Sequence, residues 1–312
     1  MTIRFIDLFA GIGGTRLAFE KNKMECVFSS EWDKFSQDTY EANFGHRPAG
    51  DITKIESKDI PNFEVLVAGF PCQPFSSIGK REGFLHATQG TLFHEICRII
   101  DDKKPLAFLL ENVKGLKTHD GGNTWSIIEE ALRSRGYSVD SAILDASDYG
   151  VPQRRERIYV VGFKLSVIKS PKFTFPKPTT KDLHKKVGIG KFIESNVSDR
   201  GISKHLQRTY LRKIDDGRPE IVNVHSSKPV KTLVASYHKI QRLTGTFVAD
   251  GPTGLRLLTE NECKAIMGFP KNFRVPVSRT QMYRQFGNSV AVPVVQKIAL
   301  EIKKVLVTNG YE

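Results

Sequence analysis

Cysteine is scarce in this chain. Of 312 residues only four are cysteine, Cys26, Cys72, Cys97 and Cys263. They are widely scattered, with no CxxC pair and no His/Cys group at zinc spacing. That argues against a disulfide scaffold and a structural metal, and for a reduced, intracellular protein. Uninterrupted apolar runs of about 18 residues are also lacking, so no transmembrane helix is expected. The opening MTIRFIDLFAGIGG has one early arginine, an acid within its apolar run and no small-residue cleavage site. It reads as a first strand, not a secretory signal. Internal repeats and low-complexity tails are missing too. The 39% hydrophobic content suffices for one large domain and a smaller one.

Acidic residues are thin in one region. Between residues 166 and 285 there are 23 Lys and Arg against 9 Asp and Glu, whereas the rest of the chain is close to neutral. The net charge of +13 therefore sits in one C-terminal segment, the electrostatic footprint of a polyanion-binding module.

What is present in the first half is an alternation of short apolar runs and helical patterns. IRFIDLF (3–9), ECVFSSE (25–31), EVLVAGF (64–70), PLAFLLEN (105–112), residues 137–145 and RIYVVGF (157–163) read as strands. Residues 13–20, 34–43, 91–101 and 124–135 read as helices between them. That order predicts an α/β fold with a parallel sheet covered on both faces. From SPKFTFPKPTTK (170–181) onward the pattern turns irregular and basic, with strand-like pieces VKTLVAS (230–236) and GTFVA (245–249). In LTENECKAIMGFP (258–270), Thr259 and Glu262 form a capping box and Gly268 and Pro270 a stop. Residues 296–305 form a final amphipathic helix.

Five motifs carry chemistry. DLFAGIGG (7–14) is a glycine-rich turn between a strand and a helix, suited to a nucleotide-like ligand although it departs from GxGxxG spacing. An acid closing the second strand, Glu31, suits a ribose, with Trp32 beside it for a base and Asp51 in GDI for an amino group. GFPCQPFSSIGKREG (69–83) holds Cys72 between Pro71 and Pro74, which restrict the backbone around a thiol that follows a strand. LLENV (109–113) ends a strand on Glu111, and QRRER (153–157) and QFGNSVAVPV (285–294) follow. Each has an ordinary structural reading as well: core packing for Trp32, a turn for Asp51, a solvated charged turn for the arginines, a helix start for Asn288 and Ser289.

Taken in order, FAGIGG, Glu31-Trp32, GDI, GFPCQPFS, ENV, QRRER, the LTENECKAIMGFP block and QFGNSV resemble the motifs of the DNA (cytosine-5)-methyltransferases of bacterial restriction-modification type, over residues 5 to about 305. The resemblance implies a Rossmann-like S-adenosylmethionine-dependent methyltransferase domain, residues 1–165 plus 285–312. It also implies a smaller, irregular, mostly β target-recognition domain, residues 166–284, which includes the ordering motif at 256–270.

Catalysis would fall to Cys72 as nucleophile, Glu111 as acid at the cytosine edge, Arg157 at the cytosine carbonyl, and Arg155 as its support. Phe9, Gly11, Gly13, Glu31, Trp32, Asp51, Ile52, Asn288, Ser289 and Val290 would bind S-adenosyl-L-methionine and release S-adenosyl-L-homocysteine, with no metal. The loop SSIGKREGF (76–84) would close on DNA, and Ser76, Ser77, Ile78, Lys80 and Arg81 are its candidate contacts. Thr232, His238, Gln241 and Arg242, in KTLVASYHKIQR (231–242), are the candidate base-reading residues. The implied partner is double-stranded DNA, with a cognate restriction endonuclease acting on the same site where the two are paired. The expected form is a monomer in the bacterial cytoplasm, at the nucleoid and away from membranes. An RNA methyltransferase on the same fold is disfavoured by the basic segment and by the lack of a Cys-Phe-Thr signature.

Overall fold

The structure, a computed structural model, describes residues 2–71, 92–179 and 186–311. Six strands form one sheet: β1 (Arg4–Leu8), β2 (Glu25–Ser30), β3 (Val65–Gly69), β4 (Ala107–Val113), β5 (Asp140–Asp145) and β6 (Glu156–Phe163), in the order β2-β1-β3-β4-β6-β5. Alternate residues of the central strands feed two separate cores. Phe5, Val65, Val67, Ala107 and Leu109 face one layer; Ile6, Leu8, Leu66, Ala68, Phe108 and Leu110 face the other. Burial on both faces is why these strands read as continuous apolar runs.

Helices α1 (Gly14–Glu20) and α8 (Val292–Thr308) cover the first face through Ala18, Phe19, Ile298 and Ile302. Helices α3 (Leu92–Lys103) and α4 (Asn123–Arg133) cover the second through Ile96, Ile100, Ile128 and Leu132. Helix α2 (Lys34–Phe44) follows β2 and is capped by the Asp33 side chain.

The sheet is mixed, which corrects the expectation of a parallel one. Strand β6 runs antiparallel to both β4 and β5. The connection from β5 to β6, residues 146–155, is a single 3-10 turn (Ala146–Tyr149) and a loop, not the α-helical crossover that usually returns a strand in parallel. The four strands β2, β1, β3 and β4 are parallel. The chain leaves β1 on one side toward β2 and returns on the other to β3. Their adjacent carboxyl ends form the switch point where such sheets bind ligands.

The C-terminal segment is irregular, as expected, but its strands are few among the described residues. Strand β7 (Glu220–Val222) pairs in parallel with β8 (Thr246–Val248), and α5 (Lys204–Leu206) is a single helical turn. The piece at 230–236 is not a strand; Val230 makes one isolated bridge to Gln153. Order returns with α6 (Glu260–Met267), whose capping box has both of its hydrogen bonds. Helix α7 (Arg279–Asn288) follows. Asn288 and Ser289 therefore end a helix and do not start one; α8 begins at Val292 with a proline in its first turn. Among the described residues no helix is long and apolar enough to cross a membrane.

Candidate active site

A cleft of about 510 Å³ opens at the carboxyl ends of β1 and β3. Phe9 follows β1 with φ of 57°, an uncommon conformation for a residue with a side chain and one that collects at ligand sites. The turn it starts brings the Gly11 N–H to Glu31 Oε2 at 2.8 Å. Glu31 Oε1 accepts from the Asp33 N–H at 2.8 Å. The Glu31 carboxylate is thereby aimed before any ligand arrives. Burial raises its pKa, and the backbone N–H groups oppose that rise.

Trp32 stands 76% exposed at the cleft wall, which excludes ordinary core packing for this ring. Asp51 Oδ1 is held by the Thr53 N–H and hydroxyl at 3.1 and 2.8 Å. Asp51 and Ile52 both line the cleft, as do Asn288 and Ser289 from the end of α7.

Gly13 and Val290 are not among the lining residues. Gly13 has φ of 82°, and an added Cβ would lie 2.2 Å from the Phe44 ring, so its glycine answers to helix packing. Val290 is buried, against the Gly14 backbone.

The other end of the cleft is lined by Phe70, Pro71, Glu111, Asn112, Arg155 and Arg157. Glu111 sits beside Gly69 in the β3–β4 register and across from Tyr159 on β6. Its Oε1 is 3.2 Å from Arg157 Nε, and both side chains are mostly buried. Burial raises the Glu111 pKa, while Arg157 and then Arg155 pull it down. A carboxyl so placed holds a proton more readily than a surface glutamate. Asn112, unremarked in the sequence, donates from Nδ2 to the Phe70 carbonyl at 2.9 Å. It pins the backbone that leads into Cys72. Cys72, Ser76, Ser77, Ile78, Lys80 and Arg81 lie outside the described residues.

Arg155 is 3% exposed and, among the described residues, donates to main-chain carbonyls: Leu233 at 3.2 Å, Gly287 at 3.0 Å and Ser289 at 2.7 Å. Burial lowers its pKa to about 10, Arg157 adds to the fall, and Glu111 opposes it. Gln153 is equally buried. Its amide donates to the Ile266 carbonyl at 2.8 Å and its Oε1 accepts from the Leu233 N–H at 2.7 Å. Gln285 ties α7 to α2, accepting from Thr39 Oγ1 at 3.0 Å and donating to the Phe35 carbonyl at 2.8 Å. The only sign of the Gln153 and Gln285 roles in the sequence was their place in QRRER and QFGNSV.

The candidate base-reading residues divide. Thr232 is half-buried and donates from Oγ1 to the Arg154 carbonyl at 2.7 Å. His238 is half-buried, and Gln241 is exposed and accepts from Thr244 Oγ1 at 3.1 Å. Arg242 corrects the expectation. It is 7% exposed and turned inward, onto the Leu211 and Ile214 carbonyls and the Asp216 carboxylate. Its charge holds a loop together and does not face solvent.

A family model for C-5 cytosine-specific DNA methylases matches residues 3–304. The chain belongs to that family. Among relatives, this methylase is 59% identical over 307 residues to the type II methyltransferase M.MspI of Moraxella sp, covering 98% of this chain and 71% of that protein. It is 58% identical over 302 residues to the type II methyltransferase M.BsuFI of Bacillus subtilis, covering 97% and 73%. In fold it resembles the Entamoeba histolytica methyltransferase EhMeth, with a TM-score of 0.78, 22% identity and full coverage of both chains.

Its reaction is methyl transfer to cytosine C5 in DNA, and the family implies S-adenosylmethionine as donor. The donor set of the cleft fits that molecule. A pre-aimed carboxylate at Glu31 suits a ribose diol, Trp32 offers a ring face, and Asp51 offers its second carboxylate oxygen for an amino group.

Proposed function

We propose that this methylase is a type II enzyme that modifies one cytosine within a specific short duplex site, with Cys72 as nucleophile. Cytosine C5 is too weakly nucleophilic to be methylated directly. The Cys72 thiolate adds to C6, which makes C5 enamine-like; C5 would then take the methyl group of the bound donor, the methyl carbon's bond to sulfur breaking, with its electron pair left on sulfur, as the new carbon–carbon bond forms. Loss of the C5 proton and cleavage of the Cys72–C6 bond return the thiolate and leave 5-methylcytosine. Glu111 holds the N3 and exocyclic-amine edge, and its proton limits charge build-up on the ring during addition. Arg157 holds the O2 carbonyl and keeps Glu111 oriented. Bound S-adenosylmethionine supplies the electrophilic methyl group, and Glu31, Trp32, Asp51, Asn288 and Ser289 hold it.

The observation that carries this reading is the meeting of two half-sites in one cleft. Glu111 and Arg157 form one half beside Pro71, the residue before Cys72, and the Phe9–Glu31–Trp32–Asp51 set forms the other. C6 is hidden in the base stack, so the target cytosine must leave the duplex to reach them. Residues 1–165 and 285–312 then act as the catalytic unit, and residues 166–284, rich in lysine and arginine, as the part that grips and reads DNA.

Bisulfite sequencing of DNA treated with the purified protein tests this directly. Cytosines protected in one recurring context are expected, and scattered or absent protection refutes site-specific modification. Cys72→Ser should abolish methyl transfer while duplex binding survives, and a 5-fluorocytosine duplex should trap a covalent adduct with the unsubstituted enzyme only. Full turnover by the serine variant would remove the covalent mechanism.

A further inference from the structure

The QRRER turn, buried at Gln153 and Arg155, joins two parts of the molecule that the reaction uses separately. From residue 153 to 155 it grips the segment leading into the candidate base-reading loop. Gln153 Oε1 takes the Leu233 N–H at 2.7 Å, Arg155 donates to the Leu233 carbonyl at 3.2 Å, and the Arg154 N–H donates to the Val230 carbonyl at 2.8 Å. With its other terminal nitrogen the same Arg155 guanidinium grips the Gly287 and Ser289 carbonyls at 3.0 and 2.7 Å, in the turn that walls the cofactor cleft.

The two gripped segments also touch each other. A Cβ on Gly287 would lie 2.3 Å from the Ala235 nitrogen and 2.5 Å from the Val234 carbonyl carbon. Residues 233–235 and 287–289 are thus packed backbone against backbone and held by one guanidinium. Among the described residues Arg155 makes no salt bridge and its Nε has no hydrogen-bond partner, so the hydrogen bonds it does make serve the junction.

We propose that Arg155 is a positioning residue that couples target-DNA engagement to cofactor binding, by fixing the base-reading segment to the turn that closes the cofactor cleft. The proposal rests on the reading of these two regions given above. When DNA draws residues 233–242 into register, the shared guanidinium and the Gly287 contact carry that constraint to Asn288 and Ser289. By linkage the cofactor must act on DNA affinity by the same factor. A neutral side chain at 155 can satisfy at most some of the three carbonyls, and the two segments then order independently.

The test is a binding cycle on the full-length protein. S-adenosylhomocysteine is titrated calorimetrically into enzyme alone and into enzyme saturated with the duplex that bisulfite sequencing identifies as its site. The duplex is titrated with and without S-adenosylhomocysteine. The ratio of the two dissociation constants is the coupling factor, expected at roughly 5–150-fold for the unsubstituted enzyme and equal in both directions. Arg155→Gln should bring it close to one, and Arg155→Lys should restore part of it. Gly287→Ala, which forces the two backbones apart, should lower it with Arg155 intact.

A purely structural role would weaken the separate affinities and leave the ratio standing, and a wild-type ratio in Arg155→Gln or Gly287→Ala overturns the proposal. A ratio of one in the unsubstituted enzyme overturns it too. Failure of the unsubstituted enzyme to bind S-adenosylhomocysteine or duplex at all overturns the functional reading beneath it, which separates the two failures.

Discussion

Asp7 is a carboxyl group placed inside the sheet. It is fully buried on β1, and among the described residues neither carboxylate oxygen has a hydrogen-bond partner of good geometry, the Arg16 backbone N–H giving it only weak support. Burial pushes its pKa up to about 8; Arg16 opposes the rise, and Glu31 and Glu20 add to it. In the unfolded chain an aspartate titrates near 3.9. Between about pH 4 and 8 the unfolded state therefore loses a proton that the folded state keeps, and stability falls as pH rises across that window. Asp7→Asn should remove this slope, so that the substituted protein loses less stability than the unsubstituted one between pH 5 and pH 8. Urea unfolding at pH 5 and pH 8 measures it, and equal slopes in both proteins would reject the account. At this scale the sequence was legible for the placement of Glu31, Trp32, Asp51 and Glu111, which the structure brings to one cleft, because strand ends at a switch point lie together. It was not legible for Arg242. Whether an arginine points to solvent or to Asp216 depends on a fold of the loop that no local pattern encodes.

At the scale of elements, helix α6 is held by a charge pair with no exposure. Glu262 completes the capping box, accepting from the Thr259 N–H at 2.7 Å, and also takes Arg256 at 2.8 and 2.9 Å. Arg256 in turn reaches Asp250 at 2.9 Å and the Glu194 carbonyl at 2.6 Å. Removing the Glu262 charge leaves the buried Arg256 with Asp250, which is part-exposed, as its remaining carboxylate among the described residues. Glu262→Gln should cost about 3–5 kcal/mol, and Thr259→Ala, which loses only a cap, about 1 kcal/mol. Chemical denaturation of the two variants ranks them; similar losses would show that the ion pair adds nothing beyond the cap. The capping box was readable because its two residues are three apart. Helix α7 was not, since its buried Met282, Tyr283 and Phe286 make too short an apolar face to stand out. Strand β6 gave no sign of its direction, because periodicity reports which face is buried and not which way the chain runs.

For the whole molecule, the charge asymmetry sets how duplex binding answers to salt. Each phosphate neutralised by lysine or arginine releases counterions, and six to ten contacts weaken binding by about 10³–10⁵ between 50 and 200 mM salt. Duplex affinity should fall steeply over that range, while S-adenosylhomocysteine affinity, set within a cleft, should change by less than about threefold. Fluorescence anisotropy of a labelled duplex and calorimetry of the cofactor product compare the two. A flat response for DNA would mean that the basic segment faces something other than phosphate. The basic segment was visible from composition, but its internal path was not. Its order comes from long-range bonds such as those from Gln153 and Arg155, and sequence spacing does not announce them.

The cleft is begun by residues 9–52 and finished by residues 287–289, and helix α8 then closes on α1. There Asn22 Nδ2 donates to the Gln296 carbonyl at 2.9 Å and Lys303 Nζ to the Asn22 carbonyl at 2.7 Å. During synthesis the ribosome releases residues 9–52 well before residues 287–289. A nascent chain can gather its sheet early but has no complete cofactor wall until residues 287–289 emerge. Chains stopped before residue 287 should therefore show no methyl transfer.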